Sequence, residues 1–495
     1  MRTLPFLLVI GVAWSPVAAA EPEPRAWSQA AETAPGRGAA RVFDDATAIG
    51  GRACRLEPGQ ALTWEIEAPA AGRYELHLRY RTSNRSLVAA MSVNGRARDI
   101  RLAAGFGAWL ETTRSVALQT GRNTLTFAAQ EVGFDVDHLR FTTHPRGELH
   151  PLEEAPTVSP RVVTRTAGPA TEARLFVRRA GRGTPTVQVD GHAVAAAWED
   201  AAAVDDAGWL RLPGAAVAAA ARGLDLVFPR GTTLTVPVHD APDDGRAPWL
   251  IATLDVGHGK CTVMRLPDGT TAMIDTATAA EFARSVLPFL RAHGIERIDH
   301  LFLTHYHDDH SGGLEALRAA LPTGPVRDYR SFRPGDAFDL GGVAGWVLNA
   351  YAAGTDENSR SLSLRLEYRG FVYVDGADIY GHNQARILRE MPEAVRAHVY
   401  YGNHHFHGSI DVAYLRRTDP VLFLVSADPA VYARGAFTEE FGPQVESHLR
   451  ARGARLQETL LTPEVGHILV RVQDATRWSY ETRARGGGAF AGFTR

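Results

Sequence analysis

Six consecutive residues, His305-Tyr306-His307-Asp308-Asp309-His310, carry more metal-binding chemistry than any other stretch of the chain. In an extended segment, side chains at i and i+2 project to one side, so His305 and His307 can hold one cation together. Asp309 and His310 can then turn toward a second cation nearby. Neutral imidazoles with a carboxylate suit zinc, with manganese as the alternative. Without a cation, four such side chains in six residues would strand buried polarity at a cost. Asp309 is also placed to relay a proton to a leaving group. His258, His405, His407 and His467 are candidate acids or substrate contacts, His258 foremost among them.

Such a cluster needs rigid elements behind it. An apolar strand from His300 to Thr304 delivers the chain directly into it, and Ser311-Gly312-Gly313 lets the backbone turn into a helix expected over Leu314 to Leu321. Upstream, Trp249 to Asp255, Cys261 to Leu266 and Thr270 to Ile274 read as strands, with Pro267-Asp268-Gly269 as a tight turn. Phe282, Val286, Leu287 and Leu290 mark one face of a helix, kinked at Pro288 and ending around Gly294. Downstream, the strand Phe371 to Val374 runs into Asp375-Gly376-Ala377-Asp378.

With these residues in place, the segment from about Leu250 to Val472 resembles the metallo-β-lactamase superfamily. Within it the pattern is most similar to the soluble domain of bacterial competence DNA-uptake channels. That likeness rests on Leu254-Asp255-Val256-Gly257-His258-Gly259, Met273-Ile274-Asp275-Thr276, Asn358-Ser359-Arg360-Ser361-Leu362 and Asn403-His404-His405-Phe406-His407-Gly408-Ser409. The resemblance implies an αββα sandwich and two divalent metal ions. It also implies a metal-dependent hydrolase whose activated water attacks an ester, lactone, amide or phosphodiester. Asp378 would bridge the two metals, with Asp375 as the fallback, and His404 would be the last ligand, with His405 and His407 as rivals. Asp275 would orient the histidine loop. No histidine occurs from Ser311 to Asp378, where many members carry one, so Asn358 or water would fill that position. Competence domains usually carry Gln and Asp where this chain has His258 and Lys260, and their Tyr-Gly-His-Pro motif is reduced here to Phe441-Gly442-Pro443. Both departures weigh against DNA as the substrate.

The remaining chain reads as support and delivery. Arg2, the apolar stretch Leu4 to Trp14 and Ala18-Ala19-Ala20 form an export leader over residues 1–20, which places the mature protein in the periplasm or outside the cell. No later segment is long and apolar enough to span a bilayer. A linker is expected at 21–38, a β-sandwich at 39–145, a second linker at 146–163, a β-rich domain at 164–240 and the metal-bearing domain at 249–485. Trp64 to Tyr80, Val93-Asn94-Gly95, Trp109, Gly121-Arg122-Asn123 and Phe134-Asp135-Val136-Asp137-His138 resemble jelly-roll carbohydrate-binding modules. That likeness implies a glycan partner stacked on Trp109 and a structural calcium held by Asp137. A length of 495 residues fits about three domains, and a net charge of -3 gives no electrostatic reason to coat nucleic acid or an anionic membrane. Only two cysteines occur, Cys54 and Cys261, in different expected domains, which excludes a disulfide framework.

Overall fold

The computed structural model describes residues 28–141, 156–165, 173–240, 247–350, 356–406, 411–427 and 455–493, apart from single positions and short loops within those spans. The expected leader, His407 and Phe441-Gly442-Pro443 lie outside the described residues. No helix among the described residues is long and apolar enough to cross a membrane.

The first unit packs a six-stranded sheet against the four-stranded sheet of Ala61–Ala68, Gly121–Ala129, Leu87–Val93 and Arg96–Leu102. Alternation explains it. Along Ala61–Ala68, Leu62, Trp64, Ile66 and Ala68 are buried while Glu65 and Glu67 face water. The six-stranded sheet includes Ser28–Ala30, paired with Phe134–Phe141, so this unit starts inside the expected linker. A second pair of sheets shares a core of its own, and Thr157–Ser159 and Val163–Arg165 belong to those sheets rather than to a linker. Strands of three residues are too short for alternation to reveal them.

Two seven-stranded sheets make up the last unit. One runs Val326–Arg327, His300–Phe302, Thr271–Ile274, Thr262–Arg265, Trp249–Thr253, His467–Val472 and Trp478–Arg483. The other runs Ala337–Leu340, Val343–Asn349, Ser363–Tyr368, Phe371–Asp375, Val399–Tyr401, Leu422–Val425 and Glu458–Leu461. The run Trp-Leu-Ile-Ala-Thr is buried throughout because both faces of its strand are covered. Trp249 and Ile251 enter the core between the sheets, while Leu250 and Ala252 join a separate core with Phe282, Val286 and Leu290. Trp249 meets Phe371 and Tyr373 edge-on at 6.1 and 6.4 Å, an arrangement worth about 1 kcal/mol per pair beyond burial.

The helix expected to kink at Pro288 breaks just before it, into Ala279–Glu281, a π-helical turn Phe282–Val286, and Leu287–Ala292. Pro288 has no N–H to continue the ladder, and Leu287 N–H instead reaches back to the Phe282 carbonyl. The unit also extends beyond residue 485, since Phe490 and Phe493 pack on Phe289 at 6.2 and 5.6 Å.

The three units touch. Glu111, held by His77 and Arg140, pairs with Arg416 at 3.1 Å, and Leu110 sits where a Cβ on Gly381 would be, 2.5 Å away. Ser159 Oγ and Arg161 N–H donate to Glu458 at 2.8 and 2.9 Å, and Arg178 pairs with Glu464 at 2.6 Å.

His467 gives the last unit an acid limit. Its Nδ1 accepts the Asp255 N–H at 3.0 Å, and burial pushes its pKa down to about 4. A histidine depressed in this way contributes stability above pH 6.5 that is lost as pH falls toward 4, because the unfolded chain then binds the additional proton. The expected loss is about 3 kcal/mol across that window. Denaturant melts at a series of pH values should show this slope in the wild type and a flatter one in His467→Gln. Equal slopes would remove His467 from the account.

Candidate metal centre

The centre forms where strand ends of both large sheets meet. The strand His300–Phe302 lies between Thr271–Ile274 and Val326–Arg327 and points Thr304 and His305 out of its end. Asp275 follows the neighbouring strand with φ 60 and clamps the cluster from beneath. Its Oδ1 accepts Thr304 N–H at 2.7 Å, and its Oδ2 accepts Thr304 Oγ at 2.7 Å and faces His310 Nδ1 at 2.9 Å. His310 Nδ1 then serves as the donor, which aims Nε2 at the centre. His307 is still extended, but the chain after it coils into a short helix, Asp308–Ser311, so Asp309 and His310 lie on its first turn.

Asp378 arrives from the second sheet. Its Oδ2 lies 3.3 Å from His310 Nε2, 3.8 Å from His305 Nε2, 3.9 Å from His405 Nε2 and 4.0 Å from His404 Nε2. Asp375, the fallback, is turned away onto Lys260. The loop after Val399–Tyr401 packs tightly on the Asp378 loop. Asn403 Nδ2 donates to the Gly376 carbonyl at 2.7 Å, and a Cβ at residue 376 would lie 2.8 Å from Asn403.

The histidine that reaches Asp309 and His310 is His405, not the expected His404. His405 Nε2 is 3.1 Å from Asp309 Oδ2 and 3.1 Å from His310 Nε2. Both histidines have positive φ, 48 and 47, which breaks the alternation of the strand and swings His405 inward. His404 instead faces Asn358, whose Nδ2 lies 3.3 Å from His404 Nε2 and donates to Tyr380 Oη at 2.9 Å. The Asn358 side-chain oxygen is buried without a hydrogen-bond partner.

Two sets of potential ligand atoms result: His305, His310 and Asp378, and His258, Asp309 and His405, each set within 4.8 Å. His307 Nδ1 adjoins the first set, 3.0 Å from His305 Nε2. The electrostatics match a site for positive charge. Burial pulls the His310 pKa down, but Asp378 and Asp275 outweigh it and raise it to about 10. Burial and the neighbouring His310 push His305 down to about 3. Burial opposes ionisation of Asp378, yet the imidazoles around it hold its carboxyl well below the usual range. A donor set of imidazoles and carboxylates alone, converging with charge to spare, fits divalent cations.

Sequence reasoning missed three contributors. Lys260, read only as a departure, is fully buried between Asp375 and Asp275. Tyr380 and Ser426 carried no motif, yet Ser426 Oγ pins the His258 loop by donating to the Gly259 carbonyl at 2.7 Å.

The N-terminal candidates, Asp137 and Trp109, both lie against arginines. Asp137 is completely buried, accepts Ile49 N–H at 3.0 and 3.1 Å and pairs with Arg79. Trp109 is half-buried, with the Arg81 guanidinium 4.5 Å from its ring centre, and its indole N–H donates to Thr47.

Residues 254–378 match the metallo-beta-lactamase superfamily. A stretch of 76 residues is 32% identical to Competence protein ComA of Neisseria gonorrhoeae, covering 15% of this chain and 11% of that protein. Another of 166 residues is 24% identical to ComE operon protein 3 of Bacillus subtilis (strain 168), covering 29% of this chain and 21% of that protein. The chain therefore spans about a tenth and a fifth of these relatives. Among solved structures, the family 35 carbohydrate binding module from Clostridium thermocellum is 20% identical with a TM-score of 0.22, covering 23% of this chain and 98% of that one. CBM35 from Paenibacillus barcinonensis is 21% identical with a TM-score of 0.23, covering 24% and 98%.

Proposed function

We propose that the C-terminal unit is an αββα metal-dependent hydrolase, acting outside the cytoplasm on an ester, lactone, amide or phosphodiester bond. The observation that carries this reading is the convergence of His305, His310, Asp378, Asp309 and His405 from strand ends of two sheets, with His307 adjoining. Two divalent cations, zinc by donor type, would supply Lewis acidity toward the bond under attack and toward water. His305, His307 and Asp378 would hold one, and Asp309, His310 and His405 the other, with Asp378 between them.

The residues divide the remaining work. Asp275 keeps the His310 ring oriented through Nδ1. Asp309 has a side-chain exposure of 25%, against 4% for Asp378, so it is the carboxylate that can pass a proton to a leaving group. Asn358 sets the positions of His404 and Tyr380 along the edge of the site. The reading concerns this unit alone.

Purified protein should carry two equivalents of zinc and show chelator-sensitive hydrolysis on a panel of esters, lactones, β-lactams and phosphodiesters that includes single-stranded DNA. His307→Ala should abolish that hydrolysis. The reading is lost if neither zinc nor manganese binds stoichiometrically.

A further inference from the structure

We propose that His258 is a metal ligand, giving the Asp309 position an additional imidazole and a preference for zinc over manganese. This inference rests on the metal-site reading above and deepens it.

The loop that carries His258 is fixed from several directions. Asp255 N–H donates to His467, Ser285 Oγ donates to the Asp255 carbonyl at 2.7 Å, and Ser426 Oγ donates to the Gly259 carbonyl. Lys260 N–H donates to the Asp309 carbonyl at 3.0 Å. A Cβ on residue 259 would lie 2.8 Å from that same carbonyl, so only glycine lets the loop come this close. These contacts hold His258 against the short helix that carries Asp309.

Its ring then lies against a neighbour already turned to the centre. The His258 and His405 centroids are 4.5 Å apart with the planes tilted by 40°. One ligand atom each from His258, Asp309 and His405 lies within 4.8 Å of the others. On a tetrahedral zinc with bonds of about 2.0–2.1 Å, such atoms sit roughly 3.4 Å apart. The required contraction is small for a half-buried side chain.

The consequence is an asymmetric pair of positions. With His258 included, the Asp309 position draws on His258, His310 and His405. The Asp378 position, with His305 and His307, has one imidazole fewer. Imidazole favours zinc, whereas carboxylate, carbonyl and water tolerate manganese. A histidine at this point therefore separates the two positions by metal preference.

The test uses the full chain, its His258→Gln variant and His258→Ala as a second substitution, with circular dichroism melts to verify folding. Zinc and manganese affinities would be read by competition with a chromogenic chelator, and coordination by the visible spectrum of the cobalt-loaded protein. In both variants one of two zinc equivalents should weaken by about 10–100-fold or more, manganese should change less, and the cobalt bands should shift. Unchanged zinc affinity and unchanged bands in both variants would overturn the role of His258 and leave the two-metal reading standing. A wild type that binds no metal would overturn both.

Discussion

Asp378→Asn is expected to lower kcat/KM by about 10³-fold, the equivalent of roughly 4 kcal/mol of transition-state stabilisation. The reason lies in its position. Asp378 Oδ2 is the single carboxylate oxygen within 4.0 Å of His305, His310, His404 and His405 among the described residues. An amide keeps the shape of the side chain but removes the anion that two cations would share. Binding should suffer together with chemistry, so the rise in melting temperature on adding zinc, which depends on affinity, should shrink. Steady-state kinetics on whichever substrate proves active, with melts at fixed zinc, would measure both. A variant within tenfold of wild type with an intact zinc-induced shift would mean that Asp378 does not join the two positions.

The parts of this site that were legible in sequence are those that depend on local geometry. The His-x-His-x-Asp-His spacing works because the chain is extended at His305 to His307 and then enters the helix Asp308–Ser311. The apolar run Trp249–Thr253 marks a strand covered on both faces. Asp378 could be preferred over Asp375, although nothing in the sequence said that Lys260 holds the latter. What remained hidden depends on backbone turns and distant partners. His405 rather than His404 lies beside Asp309 and His310 because both adopt positive φ, which a strand-based projection cannot foresee. The pairing of Asp137 with Arg79 was hidden because Arg79 lies on another strand. The boundaries at residues 28 and 157 slipped because three-residue strands carry almost no periodicity. The contact of Leu110 with Gly381 joins the first unit to the helix that begins beside Tyr380, a link no single-domain pattern contains.

Lys260→Met should destabilise the last unit by roughly 3–5 kcal/mol, the usual cost of leaving a buried charge without its partner. Lys260 Nζ is completely buried, bonded to Asp375 Oδ1, 3.7 Å from Asp275 Oδ2 and 4.9 Å from the centre of the Tyr401 ring. Burial raises the Asp375 pKa and the Lys260 charge lowers it again, so removing the ammonium would drive Asp375 toward protonation. That proton would recover part of the loss at low pH, and the destabilisation should therefore grow as pH rises. For a unit of this size the expected fall in Tm is of the order of 6–20 °C. The pairing itself is isolated by a double-mutant cycle with Asp375→Leu, in which the double variant should lose clearly less than the sum of the two single losses. Additive losses would mean that the two charges do not stabilise each other. The effect also reaches the metal centre, because Asp275 both faces Lys260 and orients His310. Without the ammonium, Asp275 keeps Thr304 and His310 as hydrogen-bond partners for its buried charge. Zinc affinity in Lys260→Met should then change even in the fraction that remains folded, which a purely structural role for Lys260 would not produce.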